Sequence, residues 1–195
     1  MDPFELLDKI QHGEVLESVN LDGMNFAGRD LGGAILIDCS LRGANLERVR
    51  LNECFLSDCD LSGANLLDAS FRHATLERCN LKGAVLVRAY LAAAQIMNSS
   101  LIGCDLSGAE LALALISRCD LSNAQLGEAG FDRTVLSEVQ LGGADLGSSR
   151  LKQVTLIKVD LSRVKLKQAR FELSVLNESR LAGMDLRGMD LLSPS

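Results

Sequence analysis

Residues 59–86 read CDLSGANLLDASFRHATLERCNLKGAVL. A large apolar residue returns at Leu61, Leu66, Phe71, Leu76, Leu81 and Leu86, and two residues before each stands Ala or Cys. The pattern continues both ways: from Leu21 to Leu191 every fifth residue is Leu, Phe or Ile, with no insertion. The residue two before this centre is usually Ala, Cys, Val, Ser or Met, and the other three positions are mostly polar, Gly or charged. A helix would scatter such centres around its circumference within two turns. A flat strand would send successive centres to opposite faces. Both conflicts vanish if the chain turns a corner once per five residues, so that each short side points its centre inward.

Columns spaced by twenty give the number of sides. The residue two after the centre is Gly23, Gly43, Gly63, Gly83, Gly103, Asn123, Gly143, Arg163 and Gly183 in one column, whereas glycine is sporadic in the other three. Phe71, Phe131 and Phe171 also share a column, as do Cys39, Cys59, Cys79 and Cys119. A lap of twenty has four sides of five. In Leu61-Ser62-Gly63-Ala64 the glycine stands third, where a type II turn needs positive φ. One corner per lap is therefore expected to be type II, and the other three to use turns that accept any residue. Laps stacked at the strand spacing of about 4.8 Å would give about nine coils and a rod of roughly 40 Å. Right-handed winding is expected from crossover chirality, and stability from nearest-neighbour stacking.

Segments such as CDLSGANL, CNLKGAVL and CDLSNAQL resemble the A(D/N)LXX motif of the pentapeptide-repeat family, from about residue 19 to 192. The resemblance implies an all-β fold, a right-handed quadrilateral parallel β-helix or β-solenoid, and a bacterial origin.

Composition is consistent with one array of 195 residues: 47% hydrophobic, no Trp and one Tyr, so leucine and alanine build the core. A net charge of −6 gives no general affinity for nucleic acid. MDPFELLDKI lacks signal-peptide architecture, and the most apolar run, Gly83 to Ile96, contains Arg88 and is too short to span a bilayer. These readings predict a cytoplasmic protein without membrane contact. The six cysteines occupy the small position of the repeat, none forms a C-x-x-C pair, and His12 and His73 are the sole histidines. They read as free thiols acting as small hydrophobes, with no metal, cofactor or catalytic constellation.

Residues 1–15 are expected to cap the solenoid formed by 16–195. Asp2-Pro3-Phe4-Glu5 reads as the start of a short helix, Gly13 as its stop, with Phe4, Leu7 and Ile10 on one face. Arg29 falls on a small inward position, which predicts an irregular first lap and an acidic partner. At the other end Met184 and Met189 replace the small residues, and after Leu191 only four residues remain, too few for a capping helix. The gyrase-protecting branch of the family dimerises through its C-terminal laps, and the resemblance implies a homodimer joined at Met184, Leu186, Met189, Leu191 and Leu192.

Two surfaces stand out. Around the centres Leu36, Leu56, Leu76 and onward, the outward residues include Ile35, Ile37, Phe55, Met97, Leu115, Val135, Ile157 and Val175. Val85, Val87, Tyr90, Ile102 and Leu113 are expected to widen this apolar side in the middle laps. β-Branched residues suit any parallel ladder, but Phe55, Met97 and Leu115 are not β-branched, and exposed apolar area of this extent marks a contact surface. A basic band follows: Arg150, Lys152, Lys158, Arg163, Lys165, Lys167 and Arg170, with Arg180 beyond. From 146 to 180 these eight bases face three acids, a net +5 that leaves −11 elsewhere. The sequence thus predicts a non-catalytic scaffold for an unidentified protein partner. The alternative, implied by the resemblance, is a DNA-mimicking protein that binds gyrase and protects it from quinolones. Two departures weigh against that alternative. Negative charge is weak and interrupted by the basic band, and the repeat has no insertion to form a projecting loop.

Overall fold

Twenty residues bring the backbone back over itself. The structure, a computed structural model, describes residue 6, residues 8–10 and 12–181, and the backbone of residues 191 and 192. Leu41 donates its N–H to the Asp60 carbonyl (2.7 Å), and Asp60 donates to the Cys39 carbonyl (2.9 Å). The same alternation recurs on every side, so the hydrogen bonds run along the rod and each lap pairs with the next. The described residues form an all-β parallel β-solenoid of about 8 turns, the coil expected from the spacing.

The four sides differ. On the fourth, regular strands form: β1 (Val15–Glu17), β2 (Ile35–Ile37), β3 (Phe55–Ser57), β4 (Thr75–Glu77), β5 (Gln95–Met97), β6 (Leu115–Ser117) and β7 (Val135–Ser137). The third side carries β8 (Arg150–Lys152), the fourth continues with β9 (Thr155–Ile157), and the third adds β10 (Arg170–Glu172). The fourth side then ends in β11 (Ser174–Asn177) and β12 (Leu191–Leu192). The fourth-side strands make one 10-stranded parallel sheet in chain order, while β8 and β10 make a two-stranded sheet. Elsewhere the laps meet through isolated parallel bridges such as Asn45↔Asn65 and Ser70↔Tyr90. The twenty-residue register holds through β11. At β12 it does not: Leu191 pairs with Ser174 and Leu192 with Val175, three residues short of a full lap. Leu191 thus leaves the column of centres to which its sequence spacing assigns it.

Every centre from Leu16 to Leu161, and Phe171, is buried. So are the small residues two before them from Ala34 to Val159, including Ser99, Thr134 and Ser149. Leu6 and Ile10, one helical turn apart, join this core at the N-terminal end, and Leu6, Asp8, Lys9 and Ile10 are helical. Phe4, Leu7 and the Asp2-Pro3 start of the expected cap lie outside the described residues. Arg29, in the register of Val49 and Ala69, is exposed, and its corner has ordinary turn geometry, with Arg29 N–H on the Phe26 carbonyl at 3.0 Å. Toward the other end Leu166, Leu176 and Leu181 are only partly buried.

The corners overturn the expectation of one special turn per lap. Among the described corners from Gly13 to Glu178, the third turn residue has left-handed φ on all four sides, with Arg163 the exception. At Ala93 φ is +56° and at Leu113 +61°. Three corners per lap close with the type II hydrogen bond, as Met24, Arg29 and Ala34 donate to Leu21, Phe26 and Leu31 (3.2, 3.0 and 3.1 Å). The corner after each fourth-side strand lacks that bond among the described residues. Its inward side chains supply donors instead: Cys39 Sγ lies 3.4 Å from both the Leu16 and Ile37 carbonyls, and Ser99 Oγ donates to Met97 at 2.8 Å. The cysteine column therefore fills a polar gap as well as a small space.

Candidate interaction surface

The residue just before each centre faces outward and, on the first and second sides and at Asp30 on the third, has a structural task. Asn20, Asn25, Asp30, Asn45, Asp60, Asn65, Asn80, Asp105, Asp120, Asp145 and Asp160 each accept the N–H two residues on, at 2.9–3.3 Å. This Asx cap orders the type II turn and explains the Asp/Asn of the motif. On the fourth side no such turn follows, so no cap is needed, and the same position is released to Val15, Ile35, Phe55, Thr75, Gln95, Leu115, Val135, Thr155 and Val175.

These released residues form one straight row. The register runs Val15↔Ile35↔Phe55↔Thr75↔Gln95↔Leu115↔Val135↔Thr155↔Val175, with Ile37, Met97 and Ile157 in the parallel row two residues on. Ile35, Ile37, Phe55, Met97, Leu115, Val135, Ile157 and Val175 are all half-buried, showing their outer faces on this one sheet. The mid-rod residues do not come together with it as a block. Leu113, 53% exposed, stands at the corner that enters the fourth side and widens the patch, with Leu173 in the same column. Tyr90 lies on the third side, Val85 and Val87 on the second, opposite the sheet, and Ile102 on the first.

The basic band is a ring rather than a patch. Arg150 and Arg170 are in register on the third side, with Lys152 opposite Glu172. Lys165 and Lys167 lie on the second side, Arg163 at the corner before it, and Lys158 at the corner after the fourth. Arg150 reaches over Gly130 to Glu110 (2.9 Å), a span of two laps that a side chain at position 130 would block, because a Cβ there would collide with the Glu110 carboxylate. Lys165 lies 4.0 Å from Asp145.

Elsewhere acids and arginines pair from lap to lap. Arg42 sits on Asp22, Arg50 on Asp30, Arg78 on Asp58 and Arg88 on Asp68 at 2.6–2.8 Å. The Arg42 guanidinium, helped by Ser40, holds the Asp22 carboxyl down to about 2, and Arg78 with Ser57 does the same for Asp58. These pairs set positive charge directly beside negative charge on successive laps.

All six cysteines are buried and free. Burial pushes the Cys54 and Cys104 thiols up to about 12, far from the thiolate that redox or metal chemistry requires. Among the described residues no group of three or more His, Cys, Asp or Glu could hold a metal ion, and no helix is long and apolar enough to cross a membrane. Of the expected dimer end, Met184, Leu186 and Met189 lie outside the described residues, while Leu191 and Leu192 are the backbone of β12.

The family model for pentapeptide repeats matches eight copies, over residues 15–52, 39–78, 75–111, 114–153 and 155–191. Among solved structures, trypsin-treated QnrB1, a plasmid-mediated fluoroquinolone resistance protein, is 21% identical, with 92% of this chain and 89% of that chain covered and a TM-score of 0.50. HetL, a pentapeptide repeat protein involved in heterocyst differentiation regulation in the cyanobacterium Nostoc sp., is 25% identical over 94% and 96% of the two chains, with a TM-score of 0.30. A pentapeptide repeat protein from the Arabidopsis thaliana thylakoid lumen is 29% identical over 51% and 66%, with a TM-score of 0.39. No curated protein matches the chain.

Proposed function

The chain belongs to the pentapeptide-repeat family, and we propose that it is a non-catalytic scaffold whose fourth side docks a protein partner. The observation that carries this reading is the 10-stranded sheet with its in-register row of Ile35, Phe55, Leu115, Val135 and Val175. Ladder packing by itself does not demand apolar residues there, since Thr75, Gln95 and Thr155 occupy the same row. A parallel sheet with half-exposed apolar side chains gives a partner buried apolar area at about 25 cal/mol per Å². The pairing of acids with arginines between laps gives the rod no continuous anionic face, so duplex-DNA mimicry is the weaker reading. Joining of two copies through the C-terminal laps belongs to the same proposal.

The test replaces Ile35, Phe55, Leu115 and Val135 by Thr, which the row already tolerates. Proteins co-purified from native lysate on immobilised wild type and on the variant would be compared by mass spectrometry, after matched thermal melts. Loss of a defined wild-type partner from a folded variant is the expected result. If the same proteins remain, the fourth side is not the docking surface. Relief of fluoroquinolone inhibition of gyrase supercoiling by stoichiometric wild type would replace this reading with the topoisomerase one.

A further inference from the structure

One corner of the solenoid breaks the ladder. On the first side each centre donates its N–H to the next lap, as Leu121 does to Gln140 (2.8 Å) and Leu161 to Arg180 (2.9 Å). Between the laps of Leu141 and Leu161 that bond is missing among the described residues, and so is the return bond from Asp160 N–H to the Val139 carbonyl. Gln140 and Asp160 form no bridge, although Asp120↔Gln140 and Asp160↔Arg180 do.

The cause is legible in the side chains. Arg163 occupies the glycine column and does not take the left-handed φ that the other described corners share. Val164 still donates to Leu161 (3.0 Å), so the corner closes as a turn of another kind, as a type I turn can for any residue. Its carbonyls are re-aimed. Gly143 N–H now bonds the Arg163 carbonyl at 3.1 Å, one residue later than Asn123 N–H bonds Gly142. A second substitution coincides. Position 140 is Gln, not Asp or Asn, so the Gly142 N–H has no Asx cap of the kind Asp120 gives Ser122 and Asp160 gives Ser162 (both 2.9 Å).

The result is a crevice of about 360 Å³ whose lining includes Ser122, Leu141, Gly142, Lys158, Ser162 and Arg163. Among the described residues three backbone donors at its walls, from Leu141, Gly142 and Asp160, have no acceptor, and the Val139 and Asp160 carbonyls have no donor. Its two acids are engaged elsewhere: Glu138 lies 3.8 Å from Arg118, and Asp160 caps Ser162 and lies 3.7 Å from Arg180. Among the described residues Lys158 and Arg163 make no ion-pair contact, though Arg163 helps hold the Asp160 carboxyl below its ordinary range, so two bases flank two acids that are themselves paired to Arg118 and Arg180.

We propose that this crevice binds a protonated tetrahedral oxyanion, the hydrogenphosphate ion. Successive backbone N–H groups with flanking Lys and Arg charge suit its oxygens. Its remaining P–O–H can donate to one of the orphaned carbonyls, which fully deprotonated sulfate cannot do. Gly142 and Asp160 are exposed at the crevice, so an oxyanion can reach their N–H groups and take up the hydrogen bonds that the Arg163 corner removed.

The experiment is a titration of ¹⁵N-labelled protein near pH 7 with sodium phosphate, at ionic strength held constant with chloride, and a parallel titration with sulfate. Saturable shifts of the Leu141, Gly142 and Asp160 amides are expected with phosphate, and at least tenfold weaker ones with sulfate. Gln140→Asn, which supplies the missing cap without changing charge, and Arg163→Gly, which restores the left-handed corner, should each weaken phosphate binding at least tenfold. Their spectra elsewhere report that the fold is kept. The proposal is overturned if these amides do not move, if sulfate binds as tightly, or if either folded variant binds phosphate like the wild type.

Discussion

At the residue scale the corner conformation is the least expected feature. Among the described residues twenty-three that are not glycine hold left-handed φ. At the usual cost of about 1–2 kcal/mol each they would exceed the roughly 5–15 kcal/mol of a whole domain's stability, so something must offset most of it. The offset is visible in the ladder: these same residues donate N–H groups to the next lap, as Glu53 does to Arg72 (2.8 Å) and Ala93 to Ala112 (2.8 Å). Part of the strain should remain. Ala93→Gly is therefore expected to stabilise the protein by about 0.5–1 kcal/mol, steric relief outweighing the added unfolded-state entropy. Ala94→Gly, one residue on at a buried inward position, should destabilise it by about 1 kcal/mol. Urea denaturation of the two variants checks this, and loss of stability in both would mean the corner carries no strain. Sequence reading found the conformation only where glycine advertised it, in the column of Gly63. His73, Arg78 and Leu113 gave no sign, because a repeated lap imposes on any residue what an isolated turn asks of glycine.

At the scale of the element, the side of five residues, reading was more complete. Inward and outward positions followed from the spacing alone, since one buried centre per corner is the only geometry that gathers every fifth residue. Leu101 is 1% exposed, and Leu101→Asp would bury an unpaired charge at a cost of several kcal/mol. Ser107→Asp, outward on the next side, should stay within about 0.5 kcal/mol of wild type. Equal loss in chemical melts of the two would contradict the assignment. The sheet on the fourth side was legible as an apolar column, but its cause was not. The missing turn bond leaves an Asx cap at Phe55 or Leu115 without use, although the third side keeps that bond and, among the described residues, carries the cap only at Asp30. The wider patch was misread for a related reason. Val85, Tyr90 and Ile102 are near in sequence yet a quarter or half turn away in space, and only their positions modulo twenty show it.

For the whole molecule, the two ends of the solenoid differ. Leu6 and Ile10 cover the first lap, whereas Leu166, Leu176 and Leu181 remain partly exposed toward the last. A two-fold joint at that end would let one surface bury itself against its copy. Sedimentation velocity at tens of micromolar should show a dimer, converted to a folded monomer by replacing Leu191 and Leu192 with Glu. A monomeric wild type would exclude the joint. The basic ring, by contrast, was visible in the sequence as a charge run, but its dispersal over all sides was not, since Lys158, Lys165 and Arg170 each face a different direction.

The unbroken spacing also fixes how the molecule can change length. One pentad is one side, so inserting five residues after Leu101 would re-clock all that follows by a quarter turn. Leu115, Val135 and Val175 would then swing out of line with Ile35 and Phe55, and the acids and arginines downstream would lose their partners across the joint. Inserting twenty restores the phase and merely lengthens the rod by about 4.8 Å. Growth is thus quantised: whole laps are silent additions, while fractions of a lap rotate one half of the surface against the other.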